Sequence, residues 1–395
     1  MKVLTIIVIA LVVAIAAVFA ATASANEWKL YGSARMATFW TSQDYGDLYE
    51  SSTNPSGDDV FGRNSARDLQ WNLQSNSRIG ATVKGDKLDG RIEVGVNDEP
   101  TGGGTVTVRR IYGVWKFADG WGLKVGQDFT PITFFLSNQV FDSDNELEQV
   151  GNAYGARYGQ IAVEGKGFKF AAITPSPTAL DNLAGTVADA ATESKIPKFE
   201  ASYQYHFTDA MSVHAFGGWQ YYNLYWLEPV SAARQEENVS SYTLGVGADL
   251  NFGPFFVKPQ VSYYTNGAVA GWLNTNLGLN SSLPQQIPFI NTTGNGIVDI
   301  KSLMAMLAVG FRPTDSLRLE AGIGYLGSKS EEDQGVDFNN NYLEYYLQTA
   351  VSMAPGVYVV PEIGYRDYGE LKVTGKADEN LGSLFYLGAK WEINF

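Results

Sequence analysis

The sequence offers few groups for covalent chemistry. It holds two histidines and no cysteine in 395 residues, which excludes a disulfide framework and any thiolate nucleophile or metal ligand. His206 and His214 flank a single turn. A metal site needs three or four ligands, and hydrolysis needs a nucleophile with a base in reach; neither histidine has an obvious Ser/Asp partnership. The glycine run at 101–105 (TGGGT) precedes no helix, so it has no helix N-terminus to present to a phosphate. These residues point to a protein that is not an enzyme, without cofactor or metal. What remains is patterned charge. Arg35, Arg78 and Arg110 fall on polar positions of alternating segments, and the stretch DFTPITFFLSNQVFDSDNELEQVGNAYG carries Asp128, Asp142, Asp144, Glu146 and Glu148. A charge run is usually a solvated loop. Opposite charges on facing walls of a water-filled space do more: they set up a transverse field that orients dipolar solutes and water.

Such a space needs walls, and the segments carrying the arginines are strands. The last residues, LFYLGAKWEINF, show the pattern: Phe385, Leu387, Ala389, Trp391, Ile393 and Phe395 share one parity, and Tyr386, Gly388, Lys390, Glu392 and Asn394 the other. A period of two places successive side chains on opposite faces of a strand. The pattern recurs in sixteen segments, about 27–41, 67–84, 90–98, 105–118, 121–127, 155–164, 168–174, 197–207, 211–222, 240–250, 255–264, 300–311, 317–326, 342–353, 357–368 and 382–395. Short turns follow the even segments. Longer, polar loops follow the odd ones, at about 42–66, 99–104, 128–154, 175–196, 223–239, 265–299, 327–341 and 369–381. A soluble sandwich has no reason to sort its connections this way. A membrane barrel does, with short turns at one rim and long loops at the other, and closure leaves no unpaired edge in lipid. The predicted fold class is therefore all-β, a transmembrane antiparallel β-barrel of about sixteen strands. The apolar parity faces lipid and the polar parity a wet lumen, with rings such as Trp28, Tyr203, Phe207, Trp219, Phe255, Trp391 and Phe395 at the interfaces. Pro259 and Pro361 interrupt strands, each removing a ladder donor, and are candidate bulge positions. By parity Arg109 faces outward. Arg157 shares its parity with the outward Ile161 and Val163, so an inward role for it requires a bulge or a loop position.

The chain opens with Lys2, a long apolar run and Ala23-Ser24-Ala25. This reads as a secretory signal peptide over 1–25, cleaved after Ala25, with 26–395 as the barrel. The alternative is an uncleaved anchor, since the run nearly spans a bilayer. The net charge of −14 argues against nucleic-acid binding.

Four stretches carry a family resemblance: SNSRIGATVKG, RRIYGVWKFADGWGLKVGQDFTP, ARYGQIAVEG and the terminal WEINF. With them the chain resembles the general porins of Gram-negative outer membranes. The resemblance implies an outer-membrane homotrimer of separately conducting barrels, passive diffusion of small hydrophilic solutes and ions, a third loop folded inward, and recognition of Phe395 by the barrel-assembly machinery. It also implies a constriction in which wall residues Arg35, Arg78, Arg110 and Arg157 oppose Asp128, Asp142, Asp144, Glu146 and Glu148 of the third loop. The short second loop departs from the latch that many family trimers use. Two other readings stay open: a substrate-specific channel of similar build, and a structural or adhesion barrel whose loops do the binding. The inward Tyr222, Tyr264, Tyr342, Tyr346 and Tyr386 are scattered in sequence and form no obvious aromatic slide.

Overall fold

The computed structural model describes residues 27–46, 65–97, 105–144, 146–148, 150–180, 190–227, 233–273, 286–291, 296–330, 338–373 and 377–395. The expected signal peptide and most of 101–105 lie outside these residues. The strands are β1 (Glu27–Asp44), β2 in two segments (Ser65–Leu73 and Arg78–Lys84), β3 (Leu88–Asn97), β4 (Thr105–Ala118), β5 (Trp121–Phe129), β6 (Arg157–Gly165), β7 (Phe168–Ile173) and β8 (Lys198–Thr208). The second half comprises β9 (Met211–Leu227), β10 (Arg234–Phe252), β11 (Phe255–Thr265), β12 (Ile300–Thr314), β13 (Leu317–Ser330), β14 (Phe338–Ala354), β15 (Val357–Asp367) and β16 (Ser383–Asn394). Each pairs antiparallel with its neighbours, and β1 pairs with β16 from Ser33↔Asn394 to Asp44↔Ser383, which closes a sixteen-stranded barrel. Gly32 and Phe395 extend that seam by exchanging backbone bonds of 2.7 and 3.0 Å. Closure satisfies backbone groups that would otherwise be left unpaired in hydrocarbon.

The outer surface carries the apolar parity, with Leu30, Trp71, Ile161, Leu244, Leu347 and Ile393 all exposed. The opposite parity is buried although much of it is polar, including Glu93, Gln160, Glu200, Thr243, Gln260, Ser262, Glu320, Glu344 and Glu362. A barrel with a greasy exterior and a polar interior is an inside-out globule, which is what a lipid solvent selects.

Three local features differ from the simple alternation. First, β9 and β10 run on as a hairpin to Leu227↔Arg234, so most of the loop expected at 223–239 is strand. Beyond the bilayer no lipid demands an apolar face, and polar pairs such as Tyr221–Asn238 (2.7 Å) hold the extension instead. Second, Pro259 and Pro361 mark no bulges: each keeps register, opposite Leu307 and Ala389, and simply lacks a partner on its other side. Third, a bulge falls at Arg109. Glu93 pairs with Arg110 and Val94 with Val108, so Arg109 is the extra residue and turns inward with its neighbour. The expectation that Arg109 faces outward is thus overturned, because a bulge shifts parity by one residue.

The lipid-facing assignment has a direct test. Replacing Leu244, 68% exposed on the outer face of β10, with Arg should lower barrel stability by about 2–4 kcal/mol if the site lies at mid-bilayer, less nearer an interface. Urea titration of the refolded protein in lipid vesicles measures this.

Candidate functional site

The interior is organised around the segment between β5 and β6, residues 130–156. Its backbone needs partners, and wall side chains supply them. The Ile132 amide donates to Glu200 on β8 (3.3 Å), the Asn138 amide to Glu320 on β13 (2.8 Å), and the Val140 and Phe141 amides to Glu362 on β15 (2.8 and 3.0 Å). The Ala153 amide donates to Gln260 on β11 (2.5 Å). Rings dock alongside: Phe134 stacks on His214 and Phe141 on Tyr386, each at 3.8 Å between centroids. His214 is therefore a buried packing partner, while His206 is exposed. Two of the inward tyrosines serve the same packing, since Tyr346 bonds Ser137 and Glu320, and Tyr386 receives Gln139, while Tyr222 donates to the Thr178 carbonyl and Tyr342 packs on Tyr368.

The acidic tip is fastened to the interruption in β2. Gln74 donates to the carbonyls of Val140 (3.0 Å) and Asp142 (2.6 Å), Ser75 meets Ser143 (2.8 Å), and Asn76 donates to the Ser143 carbonyl (2.9 Å) and to Asp144 (2.8 Å). Amides of Gln74 and Asn76 thus hold the tip where the two β2 segments part. Asp142, Asp144, Glu146 and Leu147 all adopt positive φ, between 53° and 60°. Side chains rarely accept that conformation, and here the surrounding bonds impose it.

Each candidate site residue has a definite place. Arg35 on β1 pairs with Asp144 and, at 3.2 Å, with Glu392; Lys390 on β16 approaches the same Asp144 at 3.1 Å. Among the described residues Arg78 on β2 has a single, distant ion-pair partner, Glu93 at 3.9 Å, and remains partly exposed. Buried Glu93 also binds Arg109 at 3.0 Å and accepts from Tyr31 at 2.7 Å. Arg110 on β4 pairs with Asp128 at 2.6 Å, and Lys124 joins the same carboxylate at 2.9 Å. Asp128 is therefore a wall residue of β5 and not part of the loop, a correction to its assignment: the strand runs to Phe129. Arg157 is the first residue of β6, opposite Phe129, and its guanidinium lies 5.3 Å from that ring. It also acts electrostatically on Glu148. This strand-end position, not a bulge, brings it to the loop. Arg35, Arg78, Asp144, Glu146 and Lys390 share a water-accessible cavity of about 810 Å³.

Glu146 is the unusual group. One of its carboxylate oxygens is buried with no hydrogen-bond partner among the described residues. Enclosure within the barrel and then the charge of Asp144 push its carboxyl up to about 8, against the opposing pull of Lys390 and Arg35. Glu148 is raised by the same enclosure and by Glu146. Among the described residues no cluster of three His, Cys, Asp or Glu is placed to hold a metal.

Arg109, Glu93, Lys124 and Lys390 belong to this charged interior although the arginine–carboxylate pattern did not single them out. The parity of Lys390 and Glu93 was readable; the bulge at Arg109 was not.

No family model matches the chain, and no curated protein matches it by sequence. Its fold matches solved structures of outer-membrane channels. The outer membrane channel DcaP of Acinetobacter baumannii is 14% identical over 94% of this chain and 98% of its own, with a TM-score of 0.62. OmpT of Vibrio cholerae in its trimer form is 15% identical over 93% and 100%, with a TM-score of 0.54. An anion-selective porin from Comamonas acidovorans is 12% identical over 94% and 100%, with a TM-score of 0.52. The chain has the sixteen-stranded outer-membrane porin fold.

The anchoring scheme makes a prediction. Glu362→Ala leaves the Val140 and Phe141 amides without their acceptor. An ordinary intramolecular hydrogen bond contributes about 0.5–1.5 kcal/mol, so exchange at these two amides should accelerate about twofold to tenfold. Hydrogen-exchange mass spectrometry should show the change there, with β15 and β16 still protected.

Proposed function

We propose that the protein is an outer-membrane porin through which small hydrophilic solutes and ions diffuse passively. In this reading residues 130–156 lie across the lumen and limit the pore. Arg35, Arg78, Arg110 and Arg157 of the wall stand against Asp142, Asp144, Glu146 and Glu148 of the segment. The observation that carries the proposal is the Asp144 carboxylate held between Arg35 and Lys390, which sets a charged segment against a basic wall inside a closed barrel. Charges at a narrow passage are screened less than those at the mouth, so these groups govern selectivity. Because the interior tyrosines are occupied in packing, the diffusion channel is favoured over a substrate-specific one with an aromatic slide. By likeness to the trimer form of OmpT we also propose a homotrimer. Removal of 1–25 on export and contact of Phe395 with the assembly machinery complete the reading.

Two measurements in planar bilayers test it. Under a salt gradient, Arg78→Glu and Arg110→Glu should both move the reversal potential toward cations. Arg78, with its ion-pair partner at 3.9 Å, should have the larger effect, because Arg110 is already neutralised by Asp128. An unmoved potential in both removes these arginines from the constriction. The second measurement is pH dependence. Burial and the Asp144 charge raise the Glu146 carboxyl to about 8, so raising pH from 7 to 9 should add negative charge there and increase cation preference. Glu146→Gln should flatten that part of the curve, leaving what Glu148 contributes.

A further inference from the structure

The residues that follow β11 also pack inside the barrel. Residues 266–273 leave β11 at Thr265 and bury Asn266, Ala268, Val269, Ala270, Trp272 and Leu273 almost completely. Their partners are interior side chains of three consecutive strands. Lys198 Nζ on β8 donates to the Ala270 carbonyl at 2.8 Å, Gln220 on β9 to the Val269 carbonyl at 3.0 Å, and the Trp272 indole N–H to Glu200 at 2.8 Å. Ser241 on β10 donates to the Asn266 carbonyl at 2.9 Å.

Two details separate this docking from casual loop packing. Lys198 and Glu200 form an ion pair at 3.6 Å with no solvent exposure on either side chain. On the inner wall of a water-filled barrel such groups would be hydrated, and a buried pair persists only where further bonds satisfy it. The Ala270 carbonyl and the Trp272 indole supply those bonds, with the ammonium also 4.2 Å from the Tyr158 ring. The second detail is Gly218, directly opposite Glu200 in the sheet. A Cβ there would sit 2.6 Å from the Trp272 ring, so the wall leaves a seat for the indole. Glu200 further accepts from Ile132 of the 130–156 segment, and one carboxylate thereby links both inward segments.

We infer that residues 266–273 form a second constricting element, seated by Trp272 on Gly218 and Glu200, which closes the β8–β10 side of the lumen and confines permeation to the side lined by Arg35, Arg78 and Arg110. The inference rests on the channel reading and adds a size-determining residue to it. The seat is a positioning device: Gly218 and Glu200 act through Trp272.

The test is single-channel conductance and exclusion of graded polyethylene glycols, with the full-length protein in planar bilayers. Trp272→Ala and Gly218→Ala vacate one seat by different means. Each should raise conductance by about 1.5-fold or more and admit larger polymers. The double variant should match the single ones, because both act on one contact. Trp272→Phe keeps a ring but loses the bond to Glu200, and should lie between. Circular dichroism of strand content confirms that each barrel is folded, and Gly218→Ala is the mildest change should another variant fail to fold. Unchanged conductance and polymer cut-off in folded Trp272→Ala and Gly218→Ala overturn the inference while leaving the channel reading intact. A wild-type protein that does not conduct overturns both.

Discussion

Every backbone amide removed from water must find an acceptor, and this constraint shapes the molecule twice. In the wall it is met by sixteen strands that close on themselves between β1 and β16. In the interior, where a segment has no neighbouring strand, side chains take over. Glu200, Glu320, Glu362 and Gln260 each stand where a ladder carbonyl would otherwise be needed. These groups point inward from regular strands, so the rigid wall dictates the course of irregular chain. The left-handed residues between Asp142 and Leu147 follow from the same anchoring, since their conformation is held by bonds on both flanks.

The charge arrangement depends on that scaffold. Glu93 gathers Arg78, Arg91 and Arg109, and Asp128 gathers Arg110 and Lys124. Such pairing orders the long side chains, leaving Arg78 and Arg91, each 3.9 Å from Glu93, less tightly paired than Arg109. Asp144 is tied to both β1 and β16, so the acidic tip is referenced to the barrel seam itself. Selectivity in a passage of this kind reflects residual charge after pairing, and a bare count of arginines and carboxylates misrepresents it.

How much of this the sequence disclosed follows from which solvent each residue meets. Strands in contact with lipid must keep an apolar parity, and from Leu244 to Ile393 that period is unmistakable. In the outer part of the β9–β10 hairpin Leu224 is buried and Glu236 exposed, and the outward face meets water instead of lipid, so this stretch carries no such signature and reads as loop. Arg109 was misassigned because a one-residue bulge leaves no trace in composition. The arginines of β1, β2 and β4 were locatable by parity, whereas Asp128 depends on where a strand ends and Arg157 on where one begins. The inward parity of Glu200 and Glu362 was visible, but their partners lie in irregular chain, where no period reports position. Residues 266–273 gave no warning for that reason.

The gap in β2 has a mechanical side. Between Leu73 and Arg78 the wall lacks ordinary ladder bonds, and Arg35 of β1 is braced there by the Gln74 amide and the Ser77 hydroxyl instead. Side-chain bonds thus replace ladder bonds where the acidic tip is riveted to the wall. Because the tip is bonded to this stretch, a displacement of the wall here would displace the tip with it. On the channel reading, open-channel current noise, as distinct from its mean, would report such displacements.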